Sequence, residues 1–199
     1  MTECNVVLAG VGGQGTLLAA EILGVAAVID GLNVRVSEIH GMAQRGGAVT
    51  SSVRMGDDVA SPTVMEGQAD VLIGFEPLET LRNLKYASEK TLVIMSDERI
   101  PPTELSAKNK PYPTTREIVA KINGFTRNVK IIETERLAKE AGSLLTRNVV
   151  LVGASVAFGR LPVKKESVVQ ALRELVPAKH VEINAKAFSL GYDYISSTS

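Results

Sequence analysis

Three glycines near the amino terminus have the spacing of a loop that binds phosphate groups. Gly10, Gly12 and Gly15 form the pattern G-x-G-x-x-G inside "VVLAGVGGQGTLLAAEILG". Such glycines permit a tight turn and close approach of a ligand, and the following helix presents its N–H groups to an anion. A dinucleotide site also needs an acidic residue about 20 residues further on, and Glu38 lies 23 residues after Gly15. The alternative is that the glycines only allow a strand and a helix to pack closely.

A second segment, "SEIHGMAQRGGAV", combines an imidazole, an amide and a guanidinium with three glycines. The guanidinium of Arg45 can hold a carboxylate or phosphate through two parallel N–H bonds, while Gly46 and Gly47 leave room for a ligand or a partner backbone. The alternative is a glycine-rich linker with solvated side chains. His40 has neither a Ser/Asp pair nor a second metal ligand beside it in the sequence, so a structural histidine is favoured over a general base.

These residues are placed by an alternation of apolar runs and turns that is typical of an α/β protein. We predict a three-layer α/β/α fold with a mostly parallel or mixed sheet and a Rossmann-like βαβ start. The predicted strands are 6–9, 33–38, 70–76 and 90–96, with a hairpin or edge strand over 47–55. The predicted helices are 14–29, one that starts at Pro77, 147–159, 164–176 and 182–195. Segment 101–115 is interpreted as a surface excursion, so residues 1–199 form one domain.

Glu76 is the last residue of the third of these strands and immediately precedes Pro77. Its carboxylate is consistent with two roles, a charge at the start of a helix or a carboxylate of a pocket. The sequence leaves both roles open and does not identify Glu76 as catalytic.

The composition excludes several classes of function. The 199 residues carry a formal net charge of zero, which argues against a dedicated nucleic-acid binder. One cysteine and two histidines are too few for an iron–sulfur cluster or a structural zinc, so we expect no metal in this chain. Neither a signal peptide nor a membrane-spanning run is visible, and we expect a cytoplasmic protein.

Five segments together resemble the beta subunit of indolepyruvate ferredoxin oxidoreductase, which corresponds to the gamma domain of the wider 2-oxoacid:ferredoxin oxidoreductases. They are "GVGGQGTLLAAEILG", "VSEIHGMAQRGGAV", "ADVLIGFEPLETLR", "NVVLVGASVAFGRLP" and "NAKAFSLGY", and the resemblance extends over essentially the whole chain. The form "GMAQRGG" is the most specific of them, because relatives that act on other oxoacids tend to keep only the RGG of Arg45, Gly46 and Gly47.

The resemblance implies an oxidative decarboxylation of 2-oxoacids to acyl-coenzyme A, with electrons passed to ferredoxin. The chain has neither a GDG-plus-Asn thiamine signature nor a CxxCxxC motif. The resemblance therefore implies that thiamine diphosphate and the iron–sulfur clusters belong to a larger alpha subunit, which this chain completes, and that coenzyme A is the co-substrate. No residue of this chain is expected to be catalytic by itself. The candidates for contact with substrate or coenzyme A are Gly12, Gly13, Gln14, Gly15, His40, Gln44, Arg45, Gly46 and Gly47.

Two other functions remain open at this stage. One is a free-standing NAD- or FAD-binding module that uses the glycine loop and places Glu38 on a ribose. The other is a purely structural assembly subunit without ligand contact. The sequence decides neither the oxoacid nor the subunit stoichiometry.

Overall fold

The computed structural model describes residues 3–40, 46–101 and 111–197, which form helices around a mixed sheet of six strands. The strand order is β2-β3-β1-β4-β5-β6. Strands β1, β4, β5 and β6 are parallel, and β3 is antiparallel to both of its neighbours. The strands are β1 (Cys4–Val11), β2 (Asn33–His40), β3 (Ala48–Gly56), β4 (Val71–Gly74), β5 (Leu92–Ser96) and β6 (Val129–Ile132).

Helices cover both faces of this sheet. The helices are α1 (Thr16–Ile29), α2 (Pro77–Arg82), α3 (Thr115–Asn123), α4 (Thr134–Ala141), α5 (Arg147–Ala157), α6 (Lys165–Leu175) and α7 (Val181–Ser196). Short 3₁₀ turns occur at Leu84–Tyr86, Leu144–Thr146 and Ala178–His180. Among the residues described, no helix has both the length and the apolar character needed to cross a membrane.

The core consists of two apolar clusters, one on each face of the sheet. Along β1, Val6 and Leu8 belong to the first cluster, whereas Val7 and Ala9 belong to the second, because successive strand residues point to opposite faces. Helices α1 and α4 to α7 contribute to the first cluster, and α2 and α3 contribute to the second. The predicted three-layer α/β/α fold is therefore confirmed.

The βαβ unit predicted at the amino terminus has a strand inserted into it. β2 runs parallel to β1, but β3 lies between them and pairs with both. Of the two alternatives for residues 47–55, the hairpin with β2 is confirmed and the edge position is wrong. The physical reason is burial: Val53 and Met55 of β3 are fully buried, whereas β2 exposes Ile39 and forms the edge.

The other predicted elements are confirmed with shifted ends. Pro77 is the first residue of α2, and 147–157 is helical. Helix α1 begins at Thr16 because the preceding Gly15 has a left-handed backbone. Three elements, α3, β6 and α4, were absent from the sequence predictions. Within the predicted excursion 101–115, residues 102–110 lie outside the described part of the chain.

Helix α5 is held against α7 by direct contact between the two backbones. A β-carbon at Gly153 would overlap the carbonyl oxygen of Phe188, and one at Gly191 would overlap the carbonyl oxygen of Val150. Both glycines are buried, and glycine is the only residue that permits this approach. The contact fixes the first turn of α5, which forms one wall of the cavity described below.

Candidate functional site

The glycine loop between β1 and α1 depends on glycine at two positions. Gly13 has φ = 102° and Gly15 has φ = 77°, both in the left-handed region that other L-residues rarely adopt. At Gly15 a β-carbon would also lie 2.6 Å from Nδ2 of Asn148. The tight turn predicted from the glycine spacing is therefore present, and it brings the start of α1 against the start of α5.

Gln14 holds this loop in place with both ends of its amide. Its Oε1 accepts a hydrogen bond from the Val11 N–H at 2.7 Å, and its Nε2 donates to the Phe75 carbonyl at 2.9 Å. The side chain thus connects the ends of β1 and β4. Its side-chain amide therefore positions the loop, and the predicted contact of Gln14 with a ligand stays a prediction.

The second glycine segment meets the first through the backbone. The Gly12 N–H donates to the Gly47 carbonyl at 2.8 Å, and the Gly46 N–H donates to the Gly12 carbonyl at 3.3 Å. Gly46 also has a positive φ of 73°. Two of the predicted segments therefore form one wall of backbone, although they are separated by α1 and β2 in the sequence.

The structure describes only some of the remaining candidate residues of that segment. His40 is the last residue of β2 and pairs with Val49 across the β2–β3 ladder. Gln44 and Arg45 lie outside the described residues, so their assignment stays a prediction. Glu38 is in β2, and β3 separates that strand from β1. The dinucleotide fingerprint, in which an acidic residue ends the strand next to the glycine loop, is therefore not reproduced.

A cavity of about 220 Å³ opens at the carboxyl ends of β1, β4 and β5. The chain leaves β1 toward the first apolar cluster and β4 toward the second, which creates the crevice where open α/β sheets bind ligands. Its lining comes from the strand ends, the glycine loop, the segment after β5, the Leu144–Thr146 turn and the start of α5. The lining residues are Val11, Gly12, Gly13, Gln14, Phe75, Ser96, Glu98, Ile100, Leu144, Leu145, Arg147, Asn148 and Leu151.

Two helices begin at segments that line this cavity. The glycine loop that lines it leads into α1, and Arg147 is the first residue of α5. The N–H groups of a first helical turn have no partner inside the helix and carry partial positive charge. They and the Arg147 guanidinium bring positive charge to the cavity, where the carboxylate of Glu98 also lies.

Arg147 forms an ion pair with Glu98 across the cavity wall. The Glu98 side chain is 15% exposed and that of Arg147 is 30% exposed. Burial raises the pKa of the Glu98 carboxyl above its ordinary value, while the charge of Arg147 opposes that shift. A ligand anion that binds Arg147 must compete with this carboxylate. Neither residue was identified from the sequence, because each resembles an ordinary charged surface residue near an element end.

Asn148 adds a buried side-chain amide of which only the nitrogen is hydrogen-bonded. The residue is 4% exposed, and its Nδ2 donates to the Gly15 carbonyl at 3.3 Å. Its Oδ1 accepts no hydrogen bond from the described residues. An unpaired buried acceptor costs about 1–3 kcal/mol. The Oδ1 atom is itself buried, so the unpaired acceptor lies behind the cavity surface.

Glu76 is fully buried at the end of β4. Its Oε2 accepts from the Glu79 N–H at 2.9 Å, which caps α2, and its Oε1 accepts from the hydroxyl of Tyr112. Burial raises the pKa of this carboxyl, and the hydrogen bonds that it accepts oppose the shift. Of the two roles that the sequence left open, the structure shows the helix start.

No group of three His, Cys, Asp or Glu side chains comes together as metal ligands within 3–40, 46–101 and 111–197. Cys4 is buried at the start of β1, the end of the strand opposite to the cavity. Burial raises the pKa of its thiol to about 12. The thiolate that a metal would require is therefore strongly disfavoured there.

Comparisons with known proteins agree over nearly the whole chain. A family model described as "Pyruvate ferredoxin/flavodoxin oxidoreductase" matches residues 5–194. The chain is 45% identical over 192 residues to the indolepyruvate oxidoreductase subunit IorB of Pyrococcus horikoshii, covering 96% of this chain and 95% of that protein. It is 42% identical to the same subunit of Archaeoglobus fulgidus, covering 95% of this chain and 94% of that one. The crystal structure of a keto/oxoacid ferredoxin oxidoreductase gamma subunit from Geobacter sulfurreducens superposes with a TM-score of 0.71 at 26% identity, covering 98% of this chain and 99% of that one.

Proposed function

Because the chain belongs to the pyruvate ferredoxin/flavodoxin oxidoreductase family and is a subunit of a 2-oxoacid ferredoxin oxidoreductase, we propose that it completes the active site of an enzyme for indolepyruvate or a related aryl pyruvate. The product is the acyl-coenzyme A, and the electrons pass to ferredoxin. The proposal for the substrate is supported by relatives that are 38–45% identical and are named indolepyruvate oxidoreductase subunits. The enzyme works in the cytoplasm.

A larger alpha subunit supplies the redox chemistry in this proposal. Thiamine diphosphate and iron–sulfur clusters held by that subunit would supply the decarboxylation and the electron transfer. The proposal is supported by the single cysteine of this chain, Cys4, whose thiol is buried and whose pKa is about 12. In this proposal the chain contributes by binding and orienting coenzyme A in its cavity.

The cavity is proposed to hold part of coenzyme A. The observation that carries this assignment is the convergence of two helix starts and of Arg147 on one cavity. Coenzyme A offers phosphate groups that suit helix amino termini and a guanidinium. Arg45, which precedes Gly46, is proposed to hold a further anionic group of coenzyme A or of the oxoacid.

The size of the cavity supports a shared site. Its volume of about 220 Å³ lies below the roughly 300–1,000 Å³ of sites that enclose a ligand. In this proposal the alpha subunit covers the rest of the ligand. Leu145, on the rim, is 86% exposed, and an exposed leucine beside a cavity is suited to contact with a partner.

The test uses the assembled enzyme and compares two arginines. Arg147→Ala is expected to raise the KM for coenzyme A about ten- to a hundredfold in an assay of indolepyruvate-dependent ferredoxin reduction, because a charge-assisted bond is lost. The matched control is Arg160→Ala. Arg160 donates to the Lys90 carbonyl at 2.7 Å, near the amino end of β5 and therefore at the end of the strands opposite to the cavity. Because Arg147→Ala leaves Glu98 without its partner, the double variant Arg147→Ala/Glu98→Gln is measured as well. An unchanged KM in both Arg147 variants contradicts the proposal.

The purely structural subunit is the second candidate, and one observation favours it. The amide of Gln14 and the backbone groups joining Gly12 to Gly46 and Gly47 all bond within the chain. If the chain is a purely structural subunit, substitutions of cavity residues change its assembly with the alpha subunit and leave the kinetics of the assembled enzyme unchanged. Size-exclusion chromatography of each variant with its partner separates the two candidates.

A further inference from the structure

We infer that Glu76 is a positioning residue of the cavity. It holds in place the segment that carries Glu98 and Ile100, two residues of the cavity lining. The inference rests on the proposed function, because it treats the cavity as the coenzyme A site. Glu76 itself is fully buried and follows Phe75, which lines the cavity. Its role would be exerted through other residues and not through contact with the ligand.

The segment that Glu76 holds has no regular structure of its own. Residues 97–101 leave the end of β5 without forming a helix or a strand, yet Glu98 and Ile100 are two of the cavity residues. The start of the segment is fixed by the Asp97 N–H, which donates to the Ile132 carbonyl at 3.0 Å, and by the Glu98 N–H, which donates to the Ser96 hydroxyl at 3.0 Å. Further along, its position depends on side chains.

Glu76 supplies the anchor for that later part. Its carboxylate accepts a hydrogen bond from the hydroxyl of Tyr112. The guanidinium of Arg99 lies 4.8 Å from the centre of the Tyr112 ring, which ties the phenol to the same segment. On the cavity side, Arg147 draws Glu98 toward α5. The segment is thus held between a buried carboxylate and an arginine of the site.

Helix capping alone does not explain a glutamate at this position. The short side chains of Ser, Thr, Asp and Asn are the preferred N-caps, because they reach the N–H groups of the first turn without spare length. Glu76 caps α2 with one oxygen and reaches Tyr112 with the other, a second contact that a shorter side chain lacks the length to make. A buried carboxylate is costly to maintain, and its bond to Tyr112 gives it a task beyond the six-residue helix α2.

Two variants of the assembled enzyme test this role by different routes. Tyr112→Phe removes one hydroxyl, and Glu76→Asp keeps an excellent cap for α2 while shortening the reach to Tyr112. Each is expected to raise the KM for coenzyme A about three- to tenfold, as expected for one lost hydrogen bond, with kcat changed less than about twofold. The matched control is Tyr86→Phe, because Tyr86 packs against the same apolar cluster as Tyr112.

The outcomes separate this inference from the proposed function. The inference is overturned if Tyr112→Phe and Glu76→Asp lower the melting temperature but keep the KM of the unaltered enzyme, while Arg147→Ala raises the KM for coenzyme A. Glu76 is then only a cap. If all three variants keep the KM of the unaltered enzyme, both the inference and the assignment of coenzyme A to the cavity fail. A raised KM in both variants, with Tyr86→Phe unchanged, supports the positioning role.

Discussion

Gly15 and Asn148 are 133 positions apart in the chain, and the Asn148 amide nitrogen donates to the Gly15 carbonyl at 3.3 Å. The contact joins the first turn of α1 to the first turn of α5 and closes one side of the cavity. It is possible only because residue 15 has no side chain, since a β-carbon there would lie 2.6 Å from the same nitrogen. The glycine thus serves the turn and the contact between the two helix starts at once.

We predict that Gly15→Ala destabilises the protein more than Gly31→Ala does. Both glycines have left-handed backbones, with φ = 77° and 79°, but a β-carbon at Gly31 would meet nothing within 4 Å. Gly31→Ala is expected to cost about 1–2 kcal/mol for the backbone alone. Gly15→Ala should cost a further 1–3 kcal/mol or so for the overlap with Asn148. Urea unfolding of the isolated chain measures both, and equal losses would show that Asn148 moves aside freely.

A second stability prediction concerns the contact between α5 and α7. Gly153→Ala places a methyl group on the carbonyl of Phe188, in a buried interface where neither backbone has room to move. A loss of about 4 kcal/mol or more in the free energy of unfolding is expected.

The matched control is Gly124→Ala at the exposed carboxyl end of α3. Gly124 has φ = −70°, and a β-carbon there would lie 3.3 Å from the Lys121 carbonyl. Its change should stay within about 0.5 kcal/mol. A small loss for Gly153→Ala would mean that the two helices tolerate separation, and that the start of α5 is not held rigidly at the cavity.

The tight turn of the glycine loop and the helix that begins at Arg147 were predictable because local patterns indicate them. Gly10, Gly12 and Gly15 have a spacing that only a few backbone structures need, and the run from 147 to 157 has the small and apolar residues of a buried helix. The insertion of β3 into the βαβ unit was not predictable, since strand order depends on which strand buries both faces. That property is decided by helices from distant parts of the chain.

Arg147 and Asn148 escaped the sequence analysis for a related reason. A binding residue is recognised from sequence when its partners are near it in the chain, and the groups around Asn148 come from the glycine loop far upstream. The one local signal was a polar pair opening an otherwise apolar helix. Elements α3, β6 and α4 were also missed, although Thr114 and Glu117 form a capping box that marks the start of α3.

The ion pair of Glu98 gives a prediction for the pH dependence of stability. Burial raises the pKa of Glu98 in the folded protein above its ordinary value of 4.5. The folded state then binds more protons than the unfolded state just above pH 4.5, so the free energy of unfolding falls as the pH rises through the folded pKa. Glu98→Gln removes this contribution, and the decline measured by urea unfolding between about pH 4.5 and 7.5 should become smaller.

The control for this experiment has the opposite sign. The hydrogen bond and charge of Lys139 lower the pKa of Glu135 below its ordinary value. Its contribution is present at higher pH and is lost as the pH falls through the folded pKa, so Glu135→Gln should weaken the loss at acid pH. A Glu98→Gln variant whose pH profile parallels that of the unaltered protein would show that Arg147 fully offsets the burial of Glu98.

The last prediction concerns Arg45, which precedes the Gly46–Gly47 wall of the glycine loop. If its guanidinium holds an anionic group by two parallel bonds, Arg45→Lys keeps the charge and loses the paired geometry. The reaction of the assembled enzyme should then weaken by about 1–3 kcal/mol, with assembly intact, and Arg45→Ala should cost more. A raised KM for coenzyme A at constant kcat identifies uniform binding of coenzyme A, whereas a lower kcat points to the transition state. Arg35→Lys is the control, because Arg35 is exposed on β2 and donates to the neighbouring Val34 carbonyl at 2.8 Å. Wild-type kinetics for oxoacid and coenzyme A in both Arg45 variants would make Arg45 a structural residue of the interface.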